Sequence, residues 1–168
     1  MVRPIRRFPD PILKSTCRPA TRDEARRVAV DLVDTMRAHP RCVGLAAPQI
    51  GEAIRVAVVD VSGHPLATAH NGLLVLVNAT VEEAVGREVG REGCLSLPAV
   101  TADVRRARRI WVTTDSLDGG RHEIWAAGFE ARAIQHELDH LDGILILDRV
   151  TSVRALHPRV LPALQRAP

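Results

Sequence analysis

The chain has 168 residues, 46% of them hydrophobic and 26% charged, which suits one globular domain with a core of its own. Aromatic residues make up only 2%, which speaks against a binder that reads single-stranded nucleic acid by stacking, so no specific nucleic-acid partner is expected. The net charge of +3 is carried by arginine apart from the single lysine, Lys14, and reads as a surface of Arg–carboxylate pairs, because steering an anionic partner needs clustered charge.

In chain order, residues 1–20 hold Pro4, Pro9, Pro11 and Pro19 and read as an irregular arm. The charged start lacks an apolar stretch behind it, so no signal peptide is expected. Thr21 and Glu24 have capping-box spacing. Ala25, Val28, Leu32 and Met36 then recur at helical intervals, predicting a helix over 22–38 closed by Pro40. Strands are expected at 55–60, 73–77, 80–85, 110–114 and 123–126, separated by turn chemistry at Ser62-Gly63-His64-Pro65, Asn71-Gly72 and Asp118-Gly119-Gly120. Arg105, Arg106, Arg108 and Arg109 form the densest basic cluster and read as a turn and a solvated strand face. A second helix is expected over 129–141, stopped by Gly143, then a last strand over 144–147. The tail, 151–168, holds Pro158, Pro162 and Pro168 and reads as a short broken helix or loop. The whole, 1–168, is expected to be a single α+β catalytic domain of antiparallel strands packed around a helix. Its longest apolar runs are too short to span a bilayer, so a cytoplasmic protein without a membrane partner is expected.

The sharpest signal lies on the second predicted helix: Gln135-His136-Glu137-Leu138-Asp139-His140 contains His-Glu-x-x-His. Residues i and i+4 share a helical face. Both imidazoles can therefore reach one divalent ion, and Glu137 sits beside them to take a proton from water activated there. A third ligand is needed. The metzincin-like continuation would require His where Ile146 stands, and no Glu follows Glu137. The downstream donors are Asp142, Asp148 and His157, with Asp142 too near along the helix to point comfortably at the same ion. Cys94 is the better candidate. It lies between Gly93 and Pro98 in what reads as an exposed, shaped loop, and a thiolate is a strong ligand for a borderline-soft ion. Three cysteines do not suggest a disulfide framework in a chain of this size, and Cys17 and Cys42 read as small buried hydrophobes.

Three stretches together resemble the signature motifs of the peptide deformylase family: Gly44-Leu45-Ala46-Ala47-Pro48-Gln49, Glu92-Gly93-Cys94-Leu95-Ser96, and the His-Glu-x-x-His segment. They stand in the family's order and at similar separations, and Arg7-Phe8-Pro9-Asp10-Pro11 is similar to the family's start. The resemblance implies that Cys94, His136 and His140 hold the metal, that Glu137 is the general base, and that the Gln49 amide and the Leu95 backbone N–H form the oxyanion hole. It implies removal of the N-terminal formyl group from formyl-methionyl peptides, with release of formate. Val43, Gly44, Phe129 and Ala133 are the residues expected to bind the substrate, and Glu92 is expected to pair with Arg106. Ligand softness alone suits zinc or ferrous iron; the resemblance favours one Fe(II) per chain, with Zn(II), Ni(II) or Co(II) able to take the site. A nascent-chain substrate also suggests the ribosome as a partner for the basic tail residues Arg154, Arg159 and Arg166.

Two positions depart from the family pattern. Cys42 stands where the first motif usually has glycine, narrowing the entrance or bringing a second thiol to it. Thr101 stands where some members carry an arginine that contacts the peptide backbone. These departures motivate two rivals: a metalloamidase or peptidase that removes another small N-acyl group, and a non-catalytic binding protein, which the presence of Glu137 and Gln49 opposes.

Overall fold

The structure, a computed structural model, describes residues 1–159; the expectations at Pro162, Arg166 and Pro168 lie outside them. Helix α1 (Arg22–Ala38) occupies its predicted range. The Thr21 hydroxyl accepts from the Glu24 N–H at 3.4 Å and the Glu24 carboxylate accepts from the Thr21 N–H at 2.9 Å, satisfying two otherwise orphan donors. Ala25, Val28, Ala29, Leu32 and Met36 form its buried face.

Among the described residues, three antiparallel sheets of three strands follow. The first is ordered β1 (Gly44–Ala46), β2 (Val56–Val59), β3 (Leu74–Val77). The second sets β7 (Arg109–Asp115) between β4 (Thr80–Val85) and β8 (Arg121–Ala127). The third sets β6 (Val100–Arg106) between β5 (Glu88–Gly93) and β9 (Leu156–Pro158). Helix α2 (Gly128–Leu141) leaves β8 directly and packs against β1 and β2 as well as β7 and β8. Its Ala131, Ile134, Leu138 and Leu141 share one apolar cluster with Val59, Leu76, Ile110 and Val112. The expected α+β arrangement, strands around a central helix, is present. Gly143 ends α2 at φ 70, as expected of a left-handed stop.

The strand expected at 144–147 is not formed. Ile146–Arg149 is a single helical turn, α3, because the Asp148 carboxylate accepts from the Leu145 N–H at 2.7 Å and starts a turn. Leu145 and Ile146 still bury, beside Leu13, Cys94 and Val104, so the apolar run serves the core without a ladder. Strands β1, β5, β6 and β9 were not predicted. The tail makes a short 3-10 turn (Val153–Ala155) and then pairs as β9. Arg105, Arg108 and Arg109 are exposed as expected, but Arg106 is buried between carboxylates.

The arm is fastened to the middle of the chain. Arg6 N–H donates to the Gln49 carbonyl at 2.8 Å and Phe8 N–H to the Ser96 carbonyl at 3.0 Å. The only tryptophans, Trp111 and Trp125, sit opposite each other on β7 and β8, nearly parallel, with centroids 5.3 Å apart. Among the described residues, no helix is long and apolar enough to cross a membrane.

Candidate active site

A cleft of about 450 Å³ opens between the segment preceding β1, the end of β5 and the first turns of α2. At its floor the i, i+4 spacing on α2 does what the sequence predicts. His136 and His140 project to the same side, and Cys94, just past β5, meets them. One donor atom from each lies within 4.8 Å of the others, and all three residues are buried. Cys94 Sγ is 3.3 Å from His140 Nε2. Cys94 is 5% exposed, so the expected exposed loop is corrected at this residue: Leu13, Leu97 and Leu145 cover it from the core side. Asp148 and His157 are engaged elsewhere, with Lys14 and Asp103.

The electrostatics match a site built for a cation. Burial pushes the Cys94 thiol up, but the two facing imidazoles outweigh it and hold it well below the ordinary thiol range. His136 is raised despite burial, through hydrogen bonds to Cys94 and Glu92. Glu92 accepts from His136 Nδ1 at 2.8 Å. An ionised carboxylate only accepts, so Nδ1 carries the proton and Nε2 is left to face the site. A thiolate and two imidazoles at this separation are the donor set a divalent ion of borderline softness takes, and the residues fit one.

Glu137 lies beside the ligands, 5% exposed, and its Oε2 is buried with no partner among the described residues. Burial pushes its carboxyl up to about 7, against the lowering effect of His136 and His140. That is where a general base at neutral pH works best. Gln49, 2% exposed, is no solvated loop residue. Its Oε1 accepts from the Ala46 N–H at 2.9 Å, which aims Nε2 at Ser96 Oγ (3.2 Å) and Cys94 Sγ (3.5 Å). Leu95, half-buried, also lines the cleft.

Val43, Gly44, Phe129 and Ala133 all line the same cleft. Phe129 is fixed by stacking on His64, with centroids 4.1 Å apart. Gly44 is required by close approach: a Cβ there would lie 2.5 Å from Glu137 Oε1. Gly44→Ala should therefore displace that carboxylate. A misplacement of about 1 Å costs on the order of a hundredfold in kcat, with metal content kept; an unchanged kcat would show that Glu137 has room to move.

Cys42 is half-buried at the cleft wall, its thiol 3.1 Å from the Gly44 carbonyl. It lines the cleft, as its place in the first motif suggests, and also packs against the apolar cluster of Leu32 and Val58; Cys17 is buried as expected. The expected Glu92–Arg106 pair is present, with two contacts of 2.9 Å. Sequence reasoning missed Arg132, which donates to Glu92 and to the Val104 carbonyl at 2.9 Å each, and grouped Arg159 with the basic tail, whereas it reaches the cleft. Arg132 stands one turn before His136, a spacing that could have flagged it; Arg159 carried no local signal.

The family model for polypeptide deformylase matches residues 2–155. The chain belongs to the peptide deformylase family. A peptide deformylase of Dictyoglomus thermophilum is 43% identical over 151 residues, 89% of this chain and 93% of that one. The crystal structure of the Thermotoga maritima peptide deformylase superposes with a TM-score of 0.80 at 35% identity, covering 90% of this chain and 99% of that one. A class I type b peptide deformylase of Acinetobacter baumannii, solved with Met-Ala-Ser bound, is 34% identical, with a TM-score of 0.81 over 89% of this chain and 99% of that one.

Proposed function

We propose that this peptide deformylase-family chain hydrolyses the formyl group from formyl-methionyl peptides, releasing formate and a free α-amine. The observation that carries the reading is the convergence of Cys94, His136 and His140 with the unpartnered Glu137 carboxylate and the aimed Gln49 amide at the floor of one cleft. The peptide-bound relative from A. baumannii supports a peptide as the occupant.

Cys94, His136 and His140 would hold one divalent ion. When bound, such an ion supplies Lewis acidity that makes water ionisable near neutral pH. We assign Fe(II) from the family pattern, since the donor set also suits zinc. The chain's residues do the rest. Glu137 takes a proton from the attacking water and returns it to the leaving nitrogen, so that adding water across the amide yields formate and amine. The Gln49 Nε2–H and the Leu95 backbone N–H donate to the formyl oxygen as negative charge builds there. Donors held in advance are worth about 3–4 kcal/mol each in the transition state. The Ala46 N–H does that holding for Gln49. Gly44 lets the carboxylate and a peptide backbone come together, and Val43, Phe129 and Ala133 supply apolar contact for the methionine side chain. This reading places the enzyme in the cytoplasm, where nascent formyl-methionyl chains emerge, and makes the ribosome a partner for the Arg154 region.

The test compares formate release from formyl-Met-Ala-Ser with acetate release from its acetyl analogue, on protein purified anaerobically and assayed for metal. Formate release with about one iron per chain is the expected result. Preference for the acetyl peptide would move the assignment to another N-acyl hydrolase, and a metal-loaded protein inert to both would make it a binding protein.

A further inference from the structure

Thr101, where some family members carry an arginine, lies on the third sheet. Thr101 lies on β6, paired with Gly93 of β5 on one side and His157 of β9 on the other. It is buried, with its hydroxyl 3.5 Å from the His157 carbonyl. A long cationic side chain at this rung would compete for space with the strand that covers it. Just past β9, the Arg159 N–H donates to the Ala99 carbonyl at 2.8 Å, which fixes where the next side chain starts. The Arg159 guanidinium then returns across the sheet to the cleft. The point a Cβ on Gly93 would occupy is 2.6 Å from its Nη2 and 3.1 Å from its Cζ. Glycine at 93, the residue before Cys94, is what lets the planar fork lie against the strand.

Arg159 lines the cleft and is exposed. Among the described residues no carboxylate pairs with it. The neighbouring arginines of that wall are engaged: Arg91 with Asp103 at 2.9 Å and Arg132 with Glu92 at 2.9 Å. A guanidinium at a cleft mouth, with no carboxylate partner among the described residues, offers a planar pair of donors to an oxygen acceptor.

We propose that Arg159 is a substrate-binding residue delivered by the tail strand, donating to an oxygen of the bound peptide beyond its methionine. This rests on the formyl-peptide reading and adds to it a contact for the downstream peptide. The acceptor chemistry is a main-chain carbonyl or a carboxylate. The strand that buries Thr101 thereby returns a cation to the same rung of the sheet from the other end of the sequence.

The test uses Arg159→Met in the full chain, which keeps the stem and removes the fork. KM for formyl-Met-Ala-Ser should rise about tenfold, the loss of one hydrogen bond to a charged group, with the effect carried by KM and not by kcat. Formyl-Met amide ends before the contact, so its kcat/KM should fall far less. The tripeptide amide assigns the acceptor: an equal loss with acid and amide marks a main-chain carbonyl, and a loss confined to the acid marks the carboxylate. Equal losses for the short and the long substrate would show that Arg159 only supports the fold, and no loss for either would show that it touches nothing; both overturn the proposal. Should the methionine variant melt early, Arg159→Lys reads the same selectivity with charge retained. Wild-type protein idle on every formyl substrate would overturn the deformylase reading, and this contact with it, before any variant is made.

Discussion

Glu137→Gln should abolish turnover while leaving the metal in place, and should make the metal-free protein more stable above pH 7. General acid–base catalysis contributes on the order of 10²–10⁴-fold, and a neutral amide of the same shape cannot take the proton. The ligands Cys94, His136 and His140 are untouched, so metal content should hold. The stability effect follows from burial, which raises this carboxyl from its ordinary value near 4.5 to about 7. A raised carboxyl favours the folded state fully below the unfolded pKa, and the advantage is lost as pH climbs through the folded pKa. Between about 4.5 and 7 the unfolded chain sheds its proton freely while the folded chain resists. Above 7 the folded protein carries a penalty on the order of 3 kcal/mol. Glutamine has no proton to lose, so the variant's stability should lack this decline. Denaturant unfolding of chelator-treated wild type and variant at pH 5 and pH 8 would show it. Curves that run parallel at both values would mean the carboxylate is solvated, and an undiminished formate rate would remove Glu137 from the base role.

Glu92→Leu is expected to be the most damaging structural change. Glu92 accepts from Arg106 Nε and Nη2, from Arg132 Nη1 and from His136 Nδ1, all within 2.9 Å. Arg106 continues the chain of charge to Asp139, which Arg149 also holds. Removing the central carboxylate leaves the buried Arg106 with Asp139 alone and the buried Arg132 with main-chain carbonyls only, and breaking such a pair costs about 3–5 kcal/mol. It also frees the His136 ring, and loss of a partner orienting a ligand typically weakens metal binding 10–100-fold. Glu92→Gln keeps the shape and should sit between the two. Burial opposes ionisation of Glu92, but the hydrogen bonds from His136 and Arg106 outweigh it and hold the carboxyl at about 2. A depressed carboxyl stabilises the fold above its ordinary value near 4.5 and loses that effect as pH falls toward 2. Wild type should thus lose stability through that window and the leucine variant should not. Urea midpoints and Co(II) titration measure the two effects; a midpoint within error of wild type would mean the network adds nothing.

What the sequence disclosed tracks how local each signal is. Helix α2 and its ligands follow from a four-residue spacing, and α1 from a cap three residues long, so α1 stands at its expected bounds and α2 begins one residue before its own. Cys94 needed a partner 46 residues away, and the residues alone could offer it only as the better candidate among several; the three motifs together singled it out. Strand β5 was invisible because Glu-Val-Gly-Arg-Glu-Gly has no alternation. Its glycines make room for Arg132 and Arg159, and its Glu92 is buried by arginines instead of by apolar neighbours. Arg106 read as solvated for the matching reason: burial of a charge is decided by a partner elsewhere in the chain. The run at 144–147 misled because apolar content alone does not separate a strand from a buried turn, and Asp148 settles it.

The two indoles stacked on β7 and β8 are the molecule's whole complement of strong fluorophores, tyrosine being absent. Neither lines the cleft, and Trp125 is 63% exposed. Intrinsic emission therefore reports on whether the β7–β8 hairpin is paired, and is blind to direct contact between a ligand and the catalytic floor. A titration with peptide or metal has to be followed through an added chromophore, while the native light records the melting of one sheet.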